Sequence, residues 1–191
     1  MQEYLETIKK RRSYYNLSED IHHSNEEVKY IFEDVLNTTP SAMNSQPTRV
    51  VLLFDDKSKE FWNKVNETYD NSIDKEKFKG FYHAKGTALF FIEEEVVEGL
   101  KKEIPSYAER MDQWAEHGCA MIQLNAWQGL RDEGIGASLQ HYNPHIDNWC
   151  RDLYHVPKTW RLVAQMPFGK IEQEPEEKEK APIESIMKVF E

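Results

Sequence analysis

P-S-A-M-N-S-Q-P at residues 40–47, leading into R-V-V-L-L-F at 49–54, is the stretch on which the fold turns. It places a polar loop of short amides and hydroxyls between a helix and a strand. Upstream, Ser24 and Glu27 form a capping-box pattern. Val28, Ile31, Phe32, Val35 and Leu36 then recur at helical spacing until Asn37-Thr38-Thr39-Pro40 stops the helix. Downstream, Arg49–Phe54 is too short and too apolar for a surface helix and reads as a strand.

Working outward, residues 57–70 read as a helix, and G-T-A-L-F-F-I at 86–92 reads as a strand buried on both faces. The longest helix runs from about Tyr107 to Arg131. Trp114, Ala115, Gly118, Met121, Ile122, Asn125 and Gln128 form its inward stripe, and Gly134 ends it. Ala137–Leu139 is a short strand, 144–154 a short helix, and W-R-L-V-A-Q-M at 160–166 a third strand closed by Pro167-Phe168-Gly169. A short N-terminal helix covers 3–12. Residues 170–191 are charged, with Ile183, Ile186, Val189 and Phe190 the apolar positions of either a solvated tail or an arm that docks on a second subunit. The sum is a single α+β domain over 1–191, a small central sheet with helices on both sides.

The formal net charge is −10, from 34 acidic and 24 basic side chains, which disfavours nucleic acid and anionic membrane as partners. Basic residues clustered in so acidic a chain call for a local cause, such as a phosphate. Cys119 and Cys150 lie in helix-like stretches without metal-ligand spacing, so no metal site and no disulfide is expected. No apolar leader or membrane-length apolar run occurs, and a cytoplasmic protein is expected. The five Trp, nine Tyr and nine Phe suit a flat ligand as well as ordinary core packing.

Three segments carry the chemistry. Arg11-Arg12-Ser13 follows the first helix; its two guanidiniums and hydroxyl can grip a phosphate, or the arginines compensate the helix dipole. The 40–47 loop offers the mixed donors and acceptors that a pyrimidine edge needs, or is a plain turn. G-I-G-A-S-L-Q-H-Y-N-P at 134–144 lets backbone approach a ligand, and its His141 is either a general acid or a ring merely packed or exposed in a turn.

In order and spacing over nearly the whole chain, these segments resemble the FMN-binding nitroreductase family. L-Q-H-Y-N-P, W-A-E-H-G from Trp114 and G-T-A-L-F-F further resemble its short branch, which holds the fungal fatty-acid-repression-mutant proteins and related bacterial nitroreductases. The resemblance implies a small, mostly antiparallel sheet flanked by helices, in an intertwined homodimer with 170–191 as a C-terminal arm. It implies that Arg11, Arg12 and Ser13 meet the ribityl and phosphate side of FMN. Pro40, Ser41, Ala42, Met43, Asn44 and Gln46 would approach that flavin from the other subunit. Backbone at Leu139, Gln140, His141 and Tyr142 would lie by the reactive N5, where a main-chain N–H can donate. Lys178 and Lys180 match a phosphate clamp in which arginine usually stands at the second position. Tyr15 occupies the place of a common lysine near flavin O2 and N1, and Lys77 or Lys79 is the candidate replacement.

The flavin itself is then the reactive group, with no catalytic side chain. NADH or NADPH would give hydride to N5 and leave, and a small aromatic acceptor, nitroaromatic or quinone, would follow by a ping-pong route. Tyr107 and Trp114 are candidates for the substrate slot, as well as for plain core. No G-x-G-x-x-G follows a strand, so nicotinamide has no domain of its own. A flavin-binding stress-response or lipid-signalling regulator with incidental reductase activity is the alternative function, and a cofactor-free structural domain a third.

Overall fold

The computed structural model describes residues 2–191. Its centre is strand β3 (Gly86–Glu93), with β2 (Thr48–Phe54) antiparallel on one edge and β5 (Trp160–Ile171) antiparallel on the other. Two short strands extend β5: β1 (Leu17–Ser18) continues the β3 edge beyond Gly86, and β4 (Ile135–Ala137) takes the opposite edge.

Side chains on β3 alternate between two apolar layers, which is why its continuous apolar run is buried throughout. Ala88, Phe90 and Ile92 pack towards α2 (Asn25–Thr38) and α6 (Ala108–Asp132), meeting Val28, Phe32, Ala115, Cys119, Ile122 and Leu130. Leu89 and Phe91 pack on the other face with Phe61, Trp62 and Val65 of α3 (Asp56–Thr68), Phe81 of α4 (Lys75–Tyr82) and Cys150 of α7 (Asp147–Leu153). Buried Thr87 anchors α3 by polar contacts: its Oγ1 takes the Trp62 indole N–H at 2.8 Å and lies 2.7 Å from Ser58 Oγ. The register slips between Phe90 and Phe91, which pair with Ala164 and Leu162, so β5 carries one extra residue. Leu162 and Ala164 consequently face opposite layers although they are two apart.

Several expectations hold. The capping box at Ser24 and Glu27 forms in full, α2 ends one turn-residue later at Thr38, and Gly134 turns the chain after α6 with φ +78°. Both cysteines are free and buried; burial raises their thiol pKa values, to about 11 for Cys119 and about 12 for Cys150.

Four readings need correction. Pro167 does not close β5, because its carbonyl accepts from Ser138 N–H on the side where the ladder is already interrupted, so the missing donor is not needed there. The strand therefore reaches Ile171, and the C-terminal segment begins later than residue 170. The short strand lies at 135–137 rather than 137–139, with Gln140 joined to Gln165 by a separate bridge. Met121 is not on the inward stripe of α6: it is 40% exposed beside Leu124 at 44%, and Met111, Ala126 and Leu130 are buried instead. Helices α4, α5 (Glu94–Glu103) and α1 (Gln2–Lys10), with α8 (Ile183–Ile186), are further helices; Asp74 and Glu93 cap α4 and α5, whose apolar patterns are short, Phe78 and Phe81 in α4 and Val97 and Leu100 in α5. No helix among the described residues is long and apolar enough to cross a membrane.

Two glycines give opposite expectations. A Cβ on Gly80 would lie 1.9 Å from the Tyr15 carbonyl oxygen, so α4 presses directly on the backbone after Ser13. Gly80→Ala should destabilise the protein by about 1–3 kcal/mol through overpacking. Gly99 in α5 meets nothing within 4 Å, and Gly99→Ala should stabilise by about 0.5–1 kcal/mol. Urea unfolding of both variants checks the signs.

Candidate functional site

Helix α1 ends at Lys10, and the chain then runs along β4: Ser13 bridges Ala137, and Tyr14 N–H donates to the Ala137 carbonyl at 3.0 Å. That same carbonyl accepts the Trp127 indole N–H at 3.0 Å. Over the Trp127 ring lies the Arg11 guanidinium, 4.5 Å from its centroid. Arg12 reaches across to donate to the carbonyl of Glu176, which folds the C-terminal segment back over 11–13.

Between these walls is a cavity of about 910 Å³. Lys9, Arg11, Arg12, Lys77, Lys178 and Lys180 line it with Ser13 and Tyr15, against Glu76, Glu174, Glu176 and Glu177. In a chain of net charge −10 this is a local excess of cations. Among the described residues, Lys77, Lys178 and Lys180 form no ion pair, so their charge is available to a ligand. Lys77 Nζ stands 5.2 Å from the centroid of the Tyr15 ring, whereas Lys79 does not line the cavity. Residues from opposite ends of the sequence, 11–15 and 178–180, thus meet in one place.

The 134–144 segment touches the cavity's wall at Ala137, which bridges Ser13, but Leu139, Gln140, His141 and Tyr142 do not line the cavity. Gln140 exchanges two backbone hydrogen bonds with Gln165, at 2.7 and 2.9 Å, and Tyr142 N–H donates to the Gln165 side-chain oxygen at 2.8 Å. The Tyr142 ring stacks edge-on to Trp62 and Tyr69, its carbonyl accepts from the Tyr69 hydroxyl at 2.9 Å, and burial pushes its own phenol up to about 12. Leu139 packs on the α2–α6 layer. His141 is exposed, and among the described residues its main-chain N–H meets no acceptor.

The 40–47 loop lies elsewhere. None of Pro40, Ser41, Ala42, Met43, Asn44 and Gln46 lines the cavity. Ser41 lies against Gly118, where a Cβ would be 3.7 Å from that of Ser41. Nine residues of α6 separate Gly118 from Trp127, roughly 14 Å along the helix at its ordinary rise. Tyr107 and Trp114, with rings 5.5 Å apart, stand at this other end; Tyr107 is exposed and Trp114 half-buried on the core. Met43, Asn44 and Gln46 all have positive φ, of 55°, 52° and 48°. That backbone is held by Ser41 Oγ accepting from Gln46 N–H at 2.9 Å, by the Gln46 amide donating to Asn44 at 3.0 Å, and by Arg49 donating to the Gln46 carbonyl at 2.7 Å.

Gln165, Tyr69 and Arg49 are not among the residues that the sequence singles out. Gln165 had a signal, a glutamine inside an apolar strand run; the others touch the loops only through the fold. Among the described residues no cluster of His, Cys, Asp and Glu could hold a metal ion.

The family model described as nitroreductase family matches residues 8–170. Nitroreductase FRM2 of Saccharomyces cerevisiae is 32% identical over 178 residues, covering 92% of this chain and 91% of the relative. Nitroreductase CinD of Lactococcus lactis, solved with nicotinic acid, is 31% identical with a TM-score of 0.94, over 98% of this chain and 100% of CinD. It has also been solved with chloramphenicol and with 4-nitrophenol. A protein of Exiguobacterium sibiricum in complex with FMN shares the fold alone, at 14% identity and a TM-score of 0.77 over 98% and 97% of the two chains.

Asp147 gives a pH expectation for the loop. Burial raises its carboxyl above the usual value, against the Asn143 amide that donates to it at 2.9 Å. A folded pKa above the unfolded one means that stability is complete below the unfolded value, about 3.9, and declines as pH rises through the folded value. Asp147→Asn keeps the acceptor and removes the titration. It should be more stable than the parent at pH 7, with the difference closing below about pH 4, as urea midpoints at the two pH values will report.

Proposed function

The chain belongs to the nitroreductase family, and on that premise we propose that it is an FMN-dependent oxidoreductase carrying electrons from NAD(P)H to nitroaromatic or quinone-type acceptors. One observation carries the reading. The 910 Å³ cavity gathers Arg11, Arg12, Ser13, Lys178 and Lys180 in an otherwise acidic chain. Its size suits a cofactor. Two guanidiniums, a hydroxyl and two ammonium groups are the donor set that a phosphate monoester needs.

The residues present fit FMN in three respects. Arg12 and Ser13 supply directional donors to phosphate, while Lys178 and Lys180 act as point charges. Lys77, brought over Tyr15 by α4, supplies a positive group where Tyr15 itself cannot, in support of a reduced flavin's negative pyrimidine. The unengaged N–H of His141 supplies a main-chain donor for N5. When bound, FMN supplies two-electron transfer, accepting from the nicotinamide and then donating to the acceptor at one open face, which is the order that gives ping-pong kinetics. The protein's part is to hold, orient and neutralise.

The second half of the site comes, on this reading, from another subunit. Loop 40–46, with Tyr107 and Trp114, is at the far end of α6 from the cavity, so a symmetric homodimer would bring one chain's loop to the other's cavity. Exposed Met121 and Leu124, and Ile183, Ile186, Val189 and Phe190 in the C-terminal arm, are the apolar surface such a dimer would cover.

Protein purified with FMN should show flavin absorbance and should bleach under anaerobic NADH or NADPH, with colour restored by 4-nitrophenol or a quinone. Protein that holds FMN yet is bleached by neither nicotinamide rules out the oxidoreductase reading. Arg12→Ala should weaken FMN binding about tenfold to a hundredfold, the loss of charge-assisted hydrogen bonds. Sedimentation should find the flavin-loaded protein as a dimer; a flavin-saturated monomer overturns the shared site.

A further inference from the structure

Gln165 is a polar residue in the middle of β5 with no exposed surface. It stands opposite Leu89, in the apolar layer of α3 and α7, at a position where a leucine or valine would pack without desolvating an amide. Every hydrogen-bonding feature of its side chain that is used is spent on one segment. Its Oε1 accepts from Tyr142 N–H at 2.8 Å, and its Nε2 donates to Asn143 Oδ1 at 3.0 Å. The Asn143 amide in turn donates to the Leu162 carbonyl at 3.0 Å and to Asp147 at 2.9 Å.

The pattern along 138–142 gives this clamp its meaning. Ser138, Gln140 and Tyr142 all direct their N–H groups towards β5: the first to the Pro167 carbonyl, the second to the Gln165 carbonyl, the third to the Gln165 side chain. The alternating donors at Leu139 and His141 meet no acceptor among the described residues. Backbone pairing with β5 ends at Gln140, and the Gln165 amide replaces the next rung. It thereby extends the alternation by one residue, so that His141 is bracketed by two fixed neighbours and its N–H is turned away from the sheet.

We propose that Gln165 is a positioning residue: its buried amide clamps Tyr142 and Asn143 so that the His141 main-chain N–H is presented to the flavin. The proposal rests on the FMN reading above. A strand residue with an apolar side chain would leave Tyr142 N–H without its acceptor and would let the segment rotate about His141. Phosphate binding at Arg11–Ser13 does not involve Gln165, so loss of the clamp should cost the one hydrogen bond from His141 while the phosphate contacts keep the cofactor bound.

The test is amide hydrogen exchange resolved at single residues, in the protein without and with saturating FMN. Tyr142 N–H should exchange slowly in both states, and His141 N–H should exchange fast alone and at least about tenfold more slowly with FMN, the effect of one new hydrogen bond. Gln165→Met, of similar length and volume, should speed Tyr142 exchange about tenfold and abolish the FMN-dependent slowing at His141. Its FMN affinity should fall by no more than about tenfold, the cost of the single hydrogen bond lost at His141, because the phosphate contacts are untouched. Retention of the His141 response in Gln165→Met overturns the proposal. Fast exchange of Tyr142 in the unsubstituted protein overturns it too, and needs no variant to fold. Binding of FMN without any slowing at His141 sinks the clamp's role while leaving the cofactor reading intact; failure of the unsubstituted protein to bind FMN sinks the cofactor reading itself.

Discussion

The structure depends on strand β5 being paired on both edges over its C-terminal half, from Gln165 onwards. One edge holds β3 and then β1, and the other holds β4 and the Gln140 bridge. A strand so placed satisfies its backbone through partners that come from residues 17–18, 86–93 and 135–140, all well removed from it in sequence. Ser13 and Tyr14 reach their position only because β4 is there to bridge to, and β4 is there only because β5 runs past Pro167. The extra residue at Val163 matters for the same reason: it swaps the facing of the strand, so that Leu162 fills the α3–α7 layer while Ala164, Met166 and Phe168 fill the α2–α6 layer.

Electrostatics then acts on a frame already fixed by packing. The chain as a whole repels anions, and six of the fourteen ion pairs among the described residues join residues one helical turn apart at the surface, worth little each. The cavity beside Arg11 differs because its cations arrive from three separated stretches, and Lys77, Lys178 and Lys180 have no ion-pair partner among the described residues. Assembling unneutralised like charges costs stability, and a fold tolerates that cost where an anionic ligand offsets it. Arg11 and Lys77 are each laid on an aromatic face, Trp127 and Tyr15, which holds a cation without cancelling its charge.

What was legible in the sequence follows from which forces are local. Apolar periodicity gave β2, β3, α2 and α6, because burial of those elements is written into consecutive residues. The boundaries of β5 and β4 were misread since they depend on a partner strand and on which side Pro167 lacks its donor. Met121 was misplaced because helical spacing alone does not distinguish a face buried in the core from an apolar face at the surface. Within the site, Arg11–Ser13 and Lys178–Lys180 could be named from charge and motif, but their meeting in one cavity is a property of the fold. Tyr15 was a visible gap; Lys77 closing over it required α4, which has a weak apolar pattern and is held against the chain by Gly80.

The 40–47 loop shows how far one chain goes towards a complete site. Three non-glycine residues with positive φ within four positions cost of order 1 kcal/mol or more each. The compensating hydrogen bonds, from Ser41, Asn44, Gln46 and Arg49, fix this shape although Met43, Asn44 and Gln46 are themselves exposed. Strain that is maintained by dedicated contacts in an exposed loop has no use in the stability of the isolated chain. It becomes intelligible when the shape is complementary to something outside it, and the proposed dimer supplies that: a rigid, amide-rich edge carried about 14 Å along α6 from its own chain's cavity is placed to serve a cavity in the second copy. Cofactor binding and association would then be linked equilibria, each strengthening the other, since the flavin would contact both chains.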